Sequence, residues 1–151
     1  MKKIIFLVLM IVFLTGCQNS NPKNVVKEYL EEYRNYTDNV EKNLNGFIDK
    51  YGLSKEEKEN YLLLMKKQFV NLKYKIKDVI YDGYKADVIV EITVLDYKNL
   101  KNINSNFDFK ELFKQTKNIK YTLVFKTKYE NNEWILEEPD EDTLLKIKGL
   151  N

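Results

Sequence analysis

Histidine does not occur anywhere in the 151 residues of this chain. Its absence excludes a Ser-His-Asp triad, a Cys-His nucleophile pair and any histidine-ligated metal site. Cysteine occurs once, at Cys17, so no disulfide can form within the chain. Arginine also occurs once, at Arg34 among 25 basic residues, which leaves no arginine pair for bidentate recognition of phosphate or carboxylate. Two prolines and five glycines are too few for a collagen-like segment or a disordered stalk. There is no P-loop, no glycine-rich dinucleotide fingerprint and no nucleophile elbow. The longest apolar run, Ile4 to Leu14, has eleven residues, well short of the roughly 20 that span a bilayer.

What is present begins at the N-terminus. Lys2 and Lys3 precede that apolar run, and small residues follow it, the layout of a secretory signal. Leu14-Thr15-Gly16-Cys17 then matches the bacterial lipobox, in which the cysteine thiol receives a diacylglyceryl group. The expected organisation is a signal peptide over residues 1–16, a lipidated Cys17 with a short tether over 17–21, and one domain over 22–151. Lipidation also accounts for a lone thiol in an exported chain without a disulfide partner or a nucleophile. Two or more acyl chains, at roughly 0.8 kcal/mol per buried methylene, anchor stably where one would be marginal. The expected location is the outer face of the cytoplasmic membrane.

Removal of the signal cancels the apparent basicity. The formal charge of +2 comes from Lys2 and Lys3, and the remainder carries 23 basic and 23 acidic side chains. A neutral domain lacks the basic footprint of a nucleic-acid binder, so no nucleic-acid partner is expected.

From Pro22 the hydrophobic pattern is helical. Asn21 is a candidate N-cap with Pro22 at the first helical position. Val26, Tyr29, Tyr33, Tyr36, Val40, Leu44, Phe47 and Tyr51 recur at steps of three and four, as one helix or as two with a restart at Thr37 or Asp38. Gly52 fits a helix C-cap, and Ser54 with Glu57 forms a capping box for a helix from Lys55 to about Leu72 that buries Tyr61, Leu62, Met65, Phe69 and Leu72. The period then falls to two. A strand over Lys73 to Tyr81 places Tyr74, Ile76 and Ile80 on one parity, with Asp82-Gly83 as the turn into a strand that buries Ala86, Val88, Val90, Ile92 and Val94. Pairing Ile80 with Ala86 and Ile76 with Val90 requires an odd loop or a bulge, and it puts Asp78 on the buried parity. Asp108 is positioned to cap a short helix containing Phe109, Leu112 and Phe113. In the last hairpin, Asn131-Asn132 supplies a two-residue turn that sets Tyr129 opposite Trp134 and Thr127 opposite Leu136. Asp140 can cap a terminal helix carrying Leu144, Leu145 and Ile147. Helices followed by strands in this order predict an α+β fold: N-terminal helices packed on a curved antiparallel sheet of about four strands, then a short C-terminal helix.

This order, with a closing hairpin that ends in Glu133-Trp134-Ile135-Leu136, resembles the nuclear-transport-factor-2-like, or cystatin-like, superfamily. The lipobox, Val25-Val26-Lys27-Glu28-Tyr29-Leu30, Ala86-Asp87-Val88-Ile89-Val90 and the segment Leu144 to Leu150 look like small lipoproteins of low-GC bacteria with that fold. The resemblance covers Pro22 to Leu150. It implies a cone of sheet around helices that can enclose a pocket, in members that bind ligands, assemble with partners or, less often, catalyse reactions.

Three candidate sites follow. Superfamily enzymes that move protons next to a carbonyl use a buried Asp with Tyr donors, which makes Asp78, near Tyr74 or Tyr121, the sole catalytic candidate; an exposed or lysine-paired Asp78 would have no such role. The run Glu137-Glu138-Pro139-Asp140-Glu141-Asp142 holds five carboxylates but lacks the alternating ligands and glycine of a calcium loop, and reads as a solvated turn before a helix; no metal and no cofactor is expected. Tyr29, Tyr33, Tyr36 and Tyr51 form either an aromatic platform or plain core. The leading functional expectation is a non-enzymatic, membrane-tethered module that binds a protein partner or a small apolar ligand. The alternatives are a pocket enzyme using Asp and Tyr acid–base chemistry, and an assembly module that dimerises across its open sheet face.

Overall fold

The computed structural model describes residues 21–98 and 109–151. The signal, Cys17 and the expected Asp108 cap lie outside them. Helices α1 (Pro22–Arg34), α2 (Asp38–Ile48) and α3 (Lys55–Val70) precede strands β1 (Lys73–Asp82) and β2 (Lys85–Leu95). A short helix α4 (Phe109–Phe113), strands β3 (Asn118–Glu130) and β4 (Glu133–Leu136), and helix α5 (Glu141–Ile147) complete the order. The four strands form one open antiparallel sheet in the order β1-β2-β3-β4. This is the expected α+β architecture.

Local chemistry sets the helix ends. The Asn21 side chain accepts from the Lys23 amide at 2.9 Å, with Pro22 in the first turn. The apolar stripe divides into two helices because α1 ends in a Schellman turn, with Thr37 N–H donating to Glu32 O and Tyr36 N–H to Tyr33 O. Tyr36 takes the left-handed position, φ +48°, that glycine usually fills. Gly52, φ +63°, ends the 3₁₀ turn Asp49–Tyr51 that follows α2. Both hydrogen bonds of the Ser54–Glu57 capping box are formed. Asp140 accepts from the Thr143 amide at 2.8 Å and starts α5.

The helices bury Val26, Leu30, Val40, Leu44, Ile48, Tyr61, Leu64, Met65 and Phe69 against Val88, Val90, Ile92, Leu123 and Phe125 of the sheet. Three expectations along the stripes are corrected. Tyr51 is exposed, Leu62 is only half-buried, and Leu30, Ile48 and Leu64 carry core that the three-and-four spacing had not singled out.

In the sheet, Tyr129 pairs with Trp134 and Thr127 with Leu136 across Asn131 and Asn132, whose φ values are +52° and +66°. The β1–β2 hairpin holds a bulge and the expected Ile76–Val90 pair, but not the expected pairing of Ile80 with Ala86. Its register shifts between Ile76 and Asp78, so Ile76 does pair with Val90, but Lys77 is the extra residue of a bulge. Beyond it the inward positions are Val79 and Tyr81, while Ile80 pairs with Asp87 and is exposed. The turn is Gly83-Tyr84, with Gly83 at φ +58°.

A polar clamp ties the C-terminus to the core. Gln68, buried on α3, donates from Nε2 to Leu95 O (2.8 Å) and Lys148 O (2.9 Å), and its Oε1 accepts from Leu95 N (2.7 Å). Gly149 O accepts from Tyr97 N at 2.8 Å. A second Schellman turn, from Leu150 N to Leu145 O and from Gly149 N to Lys146 O, closes α5 with Gly149 at φ +71°. The backbone at Lys148 is therefore held from two sides.

Candidate functional site

Asp78, expected on the buried parity of β1, is exposed. The Lys77 bulge turns Asp78 to solvent, where among the described residues its carboxylate accepts only from the adjacent Val79 amide, at 2.8 Å. Neither expected tyrosine donor serves it. The Tyr74 hydroxyl donates to Glu31 (2.6 Å) and the Tyr121 hydroxyl to Asn151 O (2.5 Å). The acidic run also fails to converge: Asp140 caps α5, Asp142 pairs with Lys146, and among the described residues no group of three acids or cysteines is placed to hold a metal ion.

A cavity of about 570 Å³ opens instead between α1, α2, the end of β4 and α5. Tyr33, Val40 and Leu44 are its buried walls, joined by half-buried Tyr29, Phe47, Leu136 and Leu144. Glu32, Asn43, Lys50 and Glu138 stand at its exposed rim. Its volume and mainly apolar lining are those of small-molecule sites, which run from about 300 to 1,000 Å³.

Two polar features project into this lining. The Tyr29 and Tyr33 hydroxyls share one hydrogen bond of 3.1 Å, and burial pushes both phenols above their ordinary range. The tyrosine stripe thus serves as core and as cavity wall: Tyr29 stands edge-on to Phe125 and Tyr33 edge-on to Phe69. The second feature is Lys148, only 8% exposed. Its Nζ lies 4.0 Å from the centre of the Phe47 ring, and it forms no ion pair among the described residues. Desolvation pulls its pKa down to about 8, against an upward pull from Glu141 and a further downward push from Lys50. A buried ammonium over an aromatic face, without a carboxylate partner, is suited to meet an anionic group on an otherwise apolar ligand.

Sequence reasoning missed Lys148, Leu136, Gly46 and Gln68 as parts of this region. Gln68 had a visible signal, a polar residue on the apolar stripe of Leu64, Met65 and Phe69. Lys148 directly precedes a helix-ending glycine, a place where lysine ordinarily reaches solvent.

Residues 1–18 match the family described as prokaryotic membrane lipoprotein lipid attachment site. The protein is a membrane-anchored lipoprotein. No helix among the described residues is long and apolar enough to cross a membrane, and the attachment site places the association with the membrane in a lipid. No curated protein and no solved structure matches the chain.

Proposed function

We propose that this lipoprotein bears its lipid on Cys17, stands on the outer face of the cytoplasmic membrane, and uses its single domain over 22–151 to bind a small amphipathic molecule without transforming it. The ligand has an apolar body, seated against Tyr29, Val40, Leu44 and Leu136, and one anionic group, met by Lys148. The resemblance to nuclear-transport-factor-2-like proteins supports the same reading.

The observation that carries it is the cavity together with Gly46. Glycine inside a helix costs about 0.5–1 kcal/mol relative to alanine. At Gly46, within α2, no positive φ requires glycine and nothing lies within 4 Å of a Cβ. Gly46 does line the cavity, and a bulky side chain there is expected to narrow it. Exposed Glu32 and Glu138 do not contradict an anionic ligand, since charges at the rim are screened over about 8 Å at physiological salt. Lys148 is shielded from that screening.

The test uses the soluble form, residues 18–151, and anilinonaphthalene sulfonate, an apolar aromatic anion, as probe. The expected result is saturable fluorescence enhancement that falls at least about tenfold in affinity in Gly46→Phe, while the melting temperature stays equal or rises. Equal affinity in wild type and Gly46→Phe would remove the cavity from consideration. The outward sheet face carries Lys75, Asp87, Glu91, Lys120 and Lys126 around Ile80 and Val124, a charged surface poorly suited to dimerisation. Light scattering on the same protein is accordingly expected to give a monomer, and a stable dimer would favour the assembly alternative.

A further inference from the structure

We propose that an aromatic cluster at one end of the sheet docks on the lipid surface that holds the anchor. The cluster comprises Tyr81, Tyr84, Tyr129 and Trp134. The proposal rests on the anchor at Cys17 and is independent of the cavity.

Tyr81, Tyr129 and Trp134 share the parity of the core face at its hairpin end, and Tyr84 stands in the adjoining turn. Tyr84 is 76% exposed and Tyr81 58%. The rings form a connected set: Tyr129 to Trp134 at 5.5 Å, Tyr81 to Trp134 at 5.9 Å, and Tyr84 stacked on Tyr129 at 6.4 Å. Tyr81 and Trp134 come from the two edge strands, β1 and β4, so the cluster reaches across the whole sheet. The Tyr84 carbonyl accepts from Tyr129 N at 2.7 Å and fixes the turn to β3. Three exposed tyrosines around a half-buried tryptophan have the composition that membrane interfaces select, apolar rings with a polar tip.

The path of α1 identifies the occupant. Its last turn is fastened far from the cluster, where Tyr74 holds Glu31 and pairs with Ile92. Going back along the helix, Tyr29 meets Phe125, nearer the hairpin tips. The helix also packs on β4, which exists only at the cluster end of the sheet. Pro22 therefore begins α1 at the same end as the aromatic cluster. Only Gln18 to Asn21 separate it from Cys17, a reach of about 15 Å at full extension. A lipid on Cys17 brings this end of the domain against the bilayer.

Charge does not contribute a net attraction. Lys85 and Lys128 at the tip are outnumbered by Asp82, Glu130 and Glu133. Docking is thus expected to gain nothing from anionic lipid or from low salt, unlike a polybasic contact.

Trp134 is the single tryptophan of the chain and reports on the cluster directly. The experiment reconstitutes the full lipidated protein into phosphatidylcholine vesicles, with and without phosphatidylglycerol, using acyl chains brominated near the headgroup. Flotation is measured in parallel. The expected result is co-flotation with about two-fold quenching of Trp134 in both lipids, largely lost in Tyr81→Asp/Tyr84→Asp, whose positions are too exposed to threaten the fold. Co-flotation without quenching overturns the docking and leaves the anchor standing. Shielding from iodide without bromolipid quenching, rising with protein density, means that a second copy covers the cluster and also overturns it. Failure to float overturns anchor and docking together. None of these results bears on ligand binding in the cavity.

Discussion

Lys148→Met is expected to stabilise the soluble domain by about 2 to 3 kcal/mol at neutral pH while weakening anilinonaphthalene sulfonate binding at least about tenfold. The reason is the cost of holding an ammonium inside the fold. Burial lowers the amine from 10.5 to about 8, which corresponds to about 3 kcal/mol of preference for the neutral form. Below pH 8 the amine is charged in both folded and unfolded chains, and the fold carries that cost in full. Between about 8 and 10.5 the unfolded chain keeps a proton that the folded one has lost, so stability rises with pH. Tyrosines oppose this from about pH 10 upward. Unfolded phenols ionise there, whereas burial keeps Tyr29 and Tyr33 protonated in the fold. Wild-type stability against urea should therefore climb above pH 8 and turn down beyond about 10, and Lys148→Met should lack the climb. A methionine variant that is less stable than wild type, or that binds the probe equally well, would contradict the role given to this lysine. Retention of a destabilising charge in a cavity is the pattern expected where binding sets the residue.

Gly149→Ala is expected to cost at least about 4 kcal/mol, much of the 5–15 kcal/mol available to a domain. Two effects combine at this position. Gly149 sits at φ +71°, which costs an alanine about 1 kcal/mol or more. Its new Cβ would also overlap the Leu95 carbonyl and the Gln68 amide nitrogen. Relieving that overlap breaks the Gln68 clamp and leaves buried Leu95 and Lys148 polar groups unpaired, at about 1–3 kcal/mol each. Gly52→Ala is the control, since Gly52 has a similar φ of +63° and nothing within 4 Å of its Cβ. Its cost should be only about 1 kcal/mol in thermal denaturation followed by circular dichroism. Equal costs at the two glycines would mean that the clamp adds nothing.

Legibility from sequence followed the range of the interactions. Asn21, Ser54 with Glu57, Asn131-Asn132 and Asp140 each act within four residues, and each forms the cap or turn that its spacing implies. The Lys77 bulge was harder to place, because one inserted residue moves every later side chain to the other face. That shift is what carried Asp78 out of the interior and Ile80 onto the surface. A pocket was expected from the resemblance, and Tyr29 and Tyr33 of its lining were singled out, but its place in the fold was not legible. It depends on how α2 and α5 stand apart beyond the end of β4, and its key side chain, Lys148, points inward because Gln68 and Tyr97 hold the backbone around it. Both partners are more than fifty residues away along the chain or across a different element.

Ligand binding in the cavity is tested by a methyl-detected NMR titration of residues 18–151 with anilinonaphthalene sulfonate, with Leu, Val and Ile methyls assigned. A ligand site in the cavity requires saturable shifts concentrated at Val40, Leu44, Leu136 and Leu144, abolished by Gly46→Phe and reduced by Lys148→Met. Shifts that fall on Val79 and Ile135 near the aromatic end of the sheet, or that never saturate, would show that the cavity is not a binding site.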